Sequence, residues 1–411
     1  MNRRFAWPVL VCLVLIPVAV RIAMFRGLVR PLLVASESMA PTLWGPSATL
    51  RCSGCGIDLR VVVRGDKPPR HVTCFQCGTR QRIETVQVDR GDRVVIDTAA
   101  YWFQKPKRFD WVAFTDDDGS LSVKRLLGLP GESIELAHGD LFASGQPIRR
   151  SLSQALATSI PVDDDRFRKQ DVSRWRCDDD DWTKLADGFR CEAASSDAHS
   201  PLVYHHVQIY QNNRPEQVMD DYPGNQQVSR QMVPVDDLIV QMECSAVPDS
   251  ELTISLWVRD RVLSVTILRS AEGWTTVNAS ETKPKTWRTR SRSDDHLTVA
   301  HIDGQLWLAI NGQSHVVDPI VSDSKPPVDA KQPIAIACRS AEHPVTIGNL
   351  RVDRDLHWWH PDAIDRWSAA TALPERGYFV VGDNVPVSID SRTDPLPISR
   401  DQIIGRVIPY R

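Results

Sequence analysis

The sequence predicts a mainly β protein of several domains, and three observations carry that expectation. Short runs rich in β-branched and aromatic residues recur along the chain, each closed by Gly, Pro, Asn or Asp, which is the pattern of strands and turns. Outside one N-terminal stretch, no segment sustains the apolar spacing of a helix. At 411 residues the chain exceeds what one core ordinarily organises, so roughly two or three domains are expected. The formal net charge of -3 gives no reason to expect nucleic acid as a partner.

The first element is apolar. Phe5 to Val20 runs sixteen residues without a charge, after Arg3 and Arg4 and before Arg21. That is short of the ~20 apolar residues a spanning helix needs. With Arg21 snorkelling to the headgroups, the segment extends through Phe25. Residues 1–25 are therefore expected to form a transmembrane anchor in contact with membrane lipid. A cleaved signal peptide is the competing reading, with "VAV" at 18–20 as an imperfect cleavage site. Charge does not decide orientation, because Arg21, Arg26 and Arg30 offset Arg3 and Arg4.

Strands are expected next at "LVRPLLVASESM", "DRVVIDTAAYWF" and "FDWVAF", then in "SVKRLLGLPGESIEL" on both sides of a Pro-Gly turn. "GYFVVGDN" and "QIIGRVIPY" supply strands at the far end. Between them the texture changes. Residues 151–200 are polar and acidic, including Asp178 to Asp181, and are expected to be an irregular connector. The aspartate run lacks a calcium-loop pattern and reads as a solvated face. From 201 to 355 the strand rhythm returns in "DLIVQMECSA", "ELTISLWVRD", "VLSVTILRS", "HLTVAHIDGQLWLAINGQ" and "PIAIACRS". With "DG" and "NG" turns, this spacing argues for an antiparallel sandwich.

"CSGCG" and "CFQCG" place Cys52, Cys55, Cys74 and Cys77 in two Cys-x-x-Cys knuckles, each followed by glycine. Two such hairpins converge four thiolates on one tetrahedral ion, so a closed, structural zinc site is expected. A pair of disulfides is the alternative. Four thiolates leave no open position for water, so this metal is not expected in catalysis. Of the remaining cysteines, Cys177 with Cys191 and Cys244 with Cys338 are the pairings considered, without a connectivity that one sequence can fix.

Two residues carry chemistry. Ser38, in "SESMAPTL", taken alone is a turn residue. Lys124, in "SVKRLLGLPG", lies on an expected strand among apolar neighbours, where burial disfavours the ammonium and makes the neutral amine a usable base. Together they compose a Ser-Lys dyad. By itself, Lys124 reads first as a lysine snorkelling at a sheet edge.

The order of the motifs adds to this. "SESMAPTL", "GDRVVIDTAAYWFQKPKRFDWVAF", "KRLLGLPGESIEL" and "GDNVPVSIDSR", following an apolar segment, resemble the successive boxes of type I signal peptidases. The resemblance covers residues 1 to about 50, 87–150 and 374–411. It implies a membrane-anchored serine endopeptidase with a β catalytic domain, single-pass in the cell (inner) membrane, acting on its extracytoplasmic side. Its partners would be the signal peptides of exported preproteins, cleaved after small residues, with no cofactor for catalysis. It makes Ser38 the acylating nucleophile, Lys124 the general base, Ser36 an oxyanion donor and Ser388 the serine that positions the lysine. Asp390 and Arg392 become a supporting ion pair, two residues apart on a strand.

The same resemblance divides the chain into an anchor (1–25), three catalytic segments (26–50, 87–150, 374–411), a ribbon insertion (51–86), the acidic connector (151–200), the inserted sandwich (201–355) and a second connector (356–373). Where the family has arginine after Gly-Asp-Asn, this chain has Val385 and Pro386. The ribbon interrupts a region that is continuous in typical members, so its two ends must lie close together. The sandwich resembles concanavalin or laminin-G jelly rolls, which leaves its ligand unspecified. A membrane-anchored scaffold using the ribbon and sandwich on an inactive frame is the alternative from another class; a self-cleaving Ser-Lys protein is a third reading.

Overall fold

The computed structural model describes the chain except residues 1–12, 19, 23–26, 66–67, 84–85, 169–172, 193–199, 278–283, 290–293, 322–327, 341–342, 394–396 and 411. Most of the expected anchor falls outside the described residues. Residues 13–18 and 20–22 are helical, and among the described residues no helix is long and apolar enough to cross a membrane.

Three distant stretches of sequence meet in one seven-stranded sheet. Its order is Val29–Leu33, Arg93–Asp97, Ile403–Pro409, Trp111–Thr115, Leu121–Gly128, Gly377–Val381 and Ile398–Ser399. The C-terminal strand is central, paired with Arg93–Asp97 on one side and Trp111–Thr115 on the other. The frame therefore closes only when the last residues of the chain return to it. Alternation along Arg93–Asp97 sends Val94 and Ile96 inward, where they pack with Met39, Leu43, Ala113 and Val407. A smaller sheet continues the frame: Ile134–Ala137 pairs with Asp140–Ala143 and with Arg366–Ser368. The expected connector at 356–373 thus contributes a strand.

In the ribbon, Ser47–Arg51 pairs with Asp58–Val62 and with Val88–Asp89, and His71–Thr73 pairs with Arg80–Arg82. Ser47 lies opposite Asp89, which sets the two ends of the insertion side by side. The ribbon's first strand thus begins inside the segment assigned to the frame.

The large insertion consists of two eight-stranded antiparallel sheets. One runs Trp182–Lys184, Gly188–Cys191, Val345–Arg354, Leu238–Ser245, Asp295–Ile302, Gln305–Ile310 and Gln313–Val317, with Ile160–Asp164 also on Val345–Arg354. The other runs Trp175–Arg176, Leu202–Tyr204, Ile334–Arg339, Glu251–Val258, Arg261–Ser270, Gly273–Thr276 and Thr286–Arg288, with Ile320–Val321 on Arg261–Ser270. Buried side chains of both sheets form a single core, among them Val240, Leu297 and Ile347 from the first and Ile254, Ile267 and Ile336 from the second.

Residues 151–200 are consequently not an irregular connector. They supply four strands, and Trp175, Trp182 and Phe189 are buried in the shared core. The expectation failed because these strands are short and polar outside one or two anchoring aromatics, too brief for an alternation to register. A cysteine pairing is corrected as well. Cys191 is bonded to Cys338, linking one sheet to the other across the core, while Cys177 and Cys244 are free thiols.

The insertion is fastened where the chain leaves and re-enters the frame. Arg150, buried, donates to Asp303 at 2.6 Å and to Asp355 at 3.0 Å, with its guanidinium 4.7 Å from the Trp358 ring. A second shared core joins Tyr222 and Val233 of the insertion to Leu127, Phe379 and Val381 of the frame.

Candidate active site

Ser38 stands just beyond the edge strand Val29–Leu33. Met39, 1% exposed, is set into the core behind it, and Leu43 N–H donates to the Met39 carbonyl at 2.9 Å. The apolar neighbours hold the turn, which leaves Ser38 half-buried and Ser36 exposed. Their hydroxyl oxygens are 3.2 Å apart. Gly45 backs the pair, since a Cβ there would lie 2.5 Å from the Ser36 carbonyl oxygen.

Lys124 occupies the middle of Leu121–Gly128, opposite Val112, and is buried. Its Nζ donates to Ser388 Oγ at 2.8 Å. Burial lowers the lysine pKa from its ordinary value; the Asp390 charge opposes this and the Arg392 charge adds to it. Among the described residues, the Ser38 hydroxyl pairs with Ser36 and the Lys124 amine with Ser388, and the serine and the lysine are not bonded to each other.

Asp390 and Arg392 form a fully buried bidentate pair, with Nε to Oδ1 at 2.9 Å and Nη2 to Oδ2 at 2.8 Å. They lie in a turn, not on a strand as expected; the turn lets Arg392 fold back on its neighbour. The other Arg392 donors reach the carbonyls of Trp359 and Val385, so the Val-Pro variation in this loop is held by backbone contacts. Burial would raise the Asp390 carboxyl, but Arg392, the Gly382 N–H and the Ser388 hydroxyl outweigh it and keep the group below its ordinary range.

Gly382 ties the two halves together. A Cβ there would fall 2.2 Å from Ser388 Oγ and 2.3 Å from the Ser38 carbonyl oxygen. The next residues grip the Ser38 turn directly. Asn384 N–H donates to the Ser38 carbonyl at 3.0 Å, and its side-chain amide donates to the Glu37 carbonyl at 2.9 Å. Arg125 makes two 2.6 Å bonds to Asp383, which also accepts from Thr42. Arg125, Asp383 and Asn384 were missed as individual site residues. Their signals were present in the Gly-Asp-Asn run and in the arginine directly after Lys124.

In the ribbon the four sulfurs of Cys52, Cys55, Cys74 and Cys77 lie within 4.8 Å of one another. Cys52 to Cys77 is 3.6 Å and Cys55 to Cys74 is 3.7 Å, against the ~3.8 Å edge of a tetrahedron with zinc-sulfur bonds of about 2.3 Å. Burial pushes the Cys55 thiol up to about 12 and Cys74 higher still. A divalent cation is what would let such crowded thiols ionise together.

The chain matches the family model described as "Signal peptidase, peptidase S26" over residues 82–188 and 308–410, just over half its length. It belongs to this family, the type I signal peptidases. Lys124, Ser388, Asp390 and Arg392 fall within the matched segments, whereas Ser36 and Ser38 precede them, upstream of the ribbon. Among curated relatives, the chain is 30% identical over 71 residues to "Probable signal peptidase I-1" of Synechocystis sp., covering 15% of this chain and 36% of that one. It is 29% identical over 82 residues to "Signal peptidase I" of Leptolyngbya laminosa, covering 18% and 39%. It is 30% identical over 87 residues to "Signal peptidase I V" of Bacillus subtilis, covering 20% and 51%. The chain thus spans about a third to a half of the length of the relatives it matches. A carbohydrate-binding module, CBM66 from Bacillus subtilis, aligns over 44% of this chain and 96% of its own at 8% identity and a TM-score of 0.27, a likeness that carries no argument.

Proposed function

We propose that the protein is a membrane-tethered serine endopeptidase that removes signal peptides from exported preproteins through a Ser38–Lys124 dyad. The observation that carries this reading is the buried Lys124, its pKa lowered, held by the Ser388 hydroxyl beside the loop that grips the Ser38 carbonyl. The neutral amine takes the Ser38 proton as Oγ attacks the scissile carbonyl. The Ser36 hydroxyl and the Ser38 N–H stabilise the resulting oxyanion. The carbon–nitrogen bond breaks as the lysine ammonium returns that proton to the leaving amine, which leaves an ester on Ser38. Lys124 then deprotonates a water that attacks the ester, and its proton passes to Ser38 Oγ. No cofactor enters these steps. Asp390 and Arg392 support the loop that carries Ser388.

Residues 1–25 serve as the anchor in this reading. It is supported by the uncharged run and by the exposed apolar side chains of Leu13, Val14, Leu15, Ile16, Val20 and Ile22. Confining enzyme and tethered substrate to one membrane raises their effective concentration. The Cys191–Cys338 bond agrees with an extracytoplasmic catalytic domain. Cys52, Cys55, Cys74 and Cys77 hold a structural zinc, and the two insertion sheets form a sandwich of the concanavalin or laminin-G kind.

Purified in detergent and offered a preprotein with a small-x-small site, the wild type is expected to cleave it, and Ser38→Ala and Lys124→Ala are expected not to. Failure of the wild type where another signal peptidase succeeds, or cleavage by either variant at the wild-type rate, would overturn the dyad.

A further inference from the structure

We infer that Asn225, carried by the large insertion, is a positioning residue for the nucleophile; the inference rests on the peptidase reading above. Residues 217–235 leave the insertion's two sheets and return to the catalytic frame. There, Tyr222 donates its hydroxyl to the Asp383 carbonyl at 3.1 Å. Asn225 forms a reciprocal amide pair with Asn384: its Nδ2 donates to Asn384 Oδ1 at 2.5 Å, and Asn384 Nδ2 donates to its Oδ1 at 3.1 Å. Asn384 is the residue whose other bonds hold the carbonyls of Glu37 and Ser38.

This makes a short relay. Asn384 is fully buried, and Asn225 is the partner of its carboxamide oxygen. Without Asn225 that oxygen is left unsatisfied, and nothing fixes the rotation that aims Nδ2 at Glu37. The peptide so loosened lies between Ser36 and Ser38, whose hydroxyls and N–H must stay aligned with the developing oxyanion. The same segment is fastened on its far side to the ribbon. Val62 N–H donates to the Gly224 carbonyl at 3.1 Å, and Gln226 exchanges two 2.7 Å bonds with the backbone of Thr73, the residue before Cys74. Arg64 of the ribbon region reaches Glu37 at 3.1 Å. The insertion and ribbon thus brace the nucleophile from outside the frame. Asn225 touches no reacting atom; it acts through Asn384.

The test is preprotein cleavage by the full chain in detergent, with kcat and KM separated, for wild type, Asn225→Ala, Asn225→Asp, Asn384→Ala and the double variant Asn225→Ala with Asn384→Ala. Each is assayed well below its own unfolding midpoint. Both Asn225 variants are expected to lower kcat roughly ten- to a hundredfold with KM within about threefold, since aspartate retains the acceptor and loses the donor. The double variant is expected to be no slower than Asn384→Ala alone, because Asn225 works only through that residue. A kcat for Asn225→Ala within about twofold of wild type, or effects that multiply in the double variant, would overturn the inference while wild-type cleavage stands. Absence of cleavage by the wild type would instead overturn the peptidase reading beneath it.

Discussion

The frame and the inserted two-sheet unit both bury paired polar groups, but to different ends. In the frame, Lys124, Asp383, Asn384, Ser388, Asp390 and Arg392 are all buried near a partly exposed serine, and each has a hydrogen-bond partner. The insertion's core is mostly apolar side chains from both sheets, crossed by a disulfide and by a buried hydrogen bond from Trp274 to Asp295 at 2.8 Å, and a buried Arg150–Asp303–Asp355 triad sits at the junction with the frame. A buried polar cluster is expensive unless every member is paired. In the frame that expense goes with a buried lysine whose pKa is lowered, the base of the proposed mechanism; at the junction it serves attachment.

The comparison predicts that changes to the buried cluster around Lys124 act on rate, whereas changes to the junction triad and to the disulfide between the insertion's sheets act on stability; the Asn225 contact with Asn384 is the exception through which the insertion reaches rate. Lys124→Ala should lower kcat/KM by about a thousandfold or more with little change in unfolding midpoint, read from preprotein cleavage and thermal denaturation of the same preparation. Arg150→Met should leave Asp303 and Asp355 unpaired and cost about 3–5 kcal/mol of stability, measured by denaturant unfolding. A normal midpoint there would break the distinction. Replacing Cys191 and Cys338 together by serine should cost about 2–4 kcal/mol and leave kcat near the wild-type value at temperatures where the variant is folded.

Two smaller effects sharpen the boundary. If the four cysteines hold zinc as proposed, a chelator should release it at about one equivalent and lower kcat more than it raises KM, because the ribbon is tied to the Ser38 turn through Arg64 to Glu37 and through Thr73 to Gln226. Release of less than about half an equivalent would favour thiols or disulfides. Asp390→Asn should shift the acid limb of the pH profile downward. Asp390 raises the Lys124 pKa and Arg392 lowers it, so losing the anion makes the ammonium less stable. An unshifted limb would show that Lys124 does not feel this pair, and an upward shift would contradict the sign assigned to Asp390.

The legible parts of the molecule are those whose signal is local. The frame's strands and the cysteine knuckles are short-range patterns, and they appear as strands and a sulfur cluster, whereas the Asp390–Arg392 pair, expected from the family resemblance on a strand, forms across a turn. The proximity of Lys124 to Ser388 spans 264 residues and was legible only through a family resemblance. What escaped was long-range and specific to this chain. The Asn225–Asn384 pair joins an insertion to the frame across 159 residues, and no pattern in either segment announces the other. The strands between 160 and 191 were lost because an acidic, polar surface hid a few buried aromatics. The Cys191–Cys338 bond, 147 residues apart, depends on which sheet each strand joins, a property of topology.

The central claim is that a buried, neutral Lys124 is the base for Ser38. Its most direct test is kcat/KM for preprotein cleavage measured against pH for the wild type. The activity is expected to rise with pH along a single limb whose midpoint lies below the ordinary lysine value of about 10.4, because burial favours the neutral amine. A midpoint at or above that value, or activity independent of pH throughout the range below it, would contradict the account.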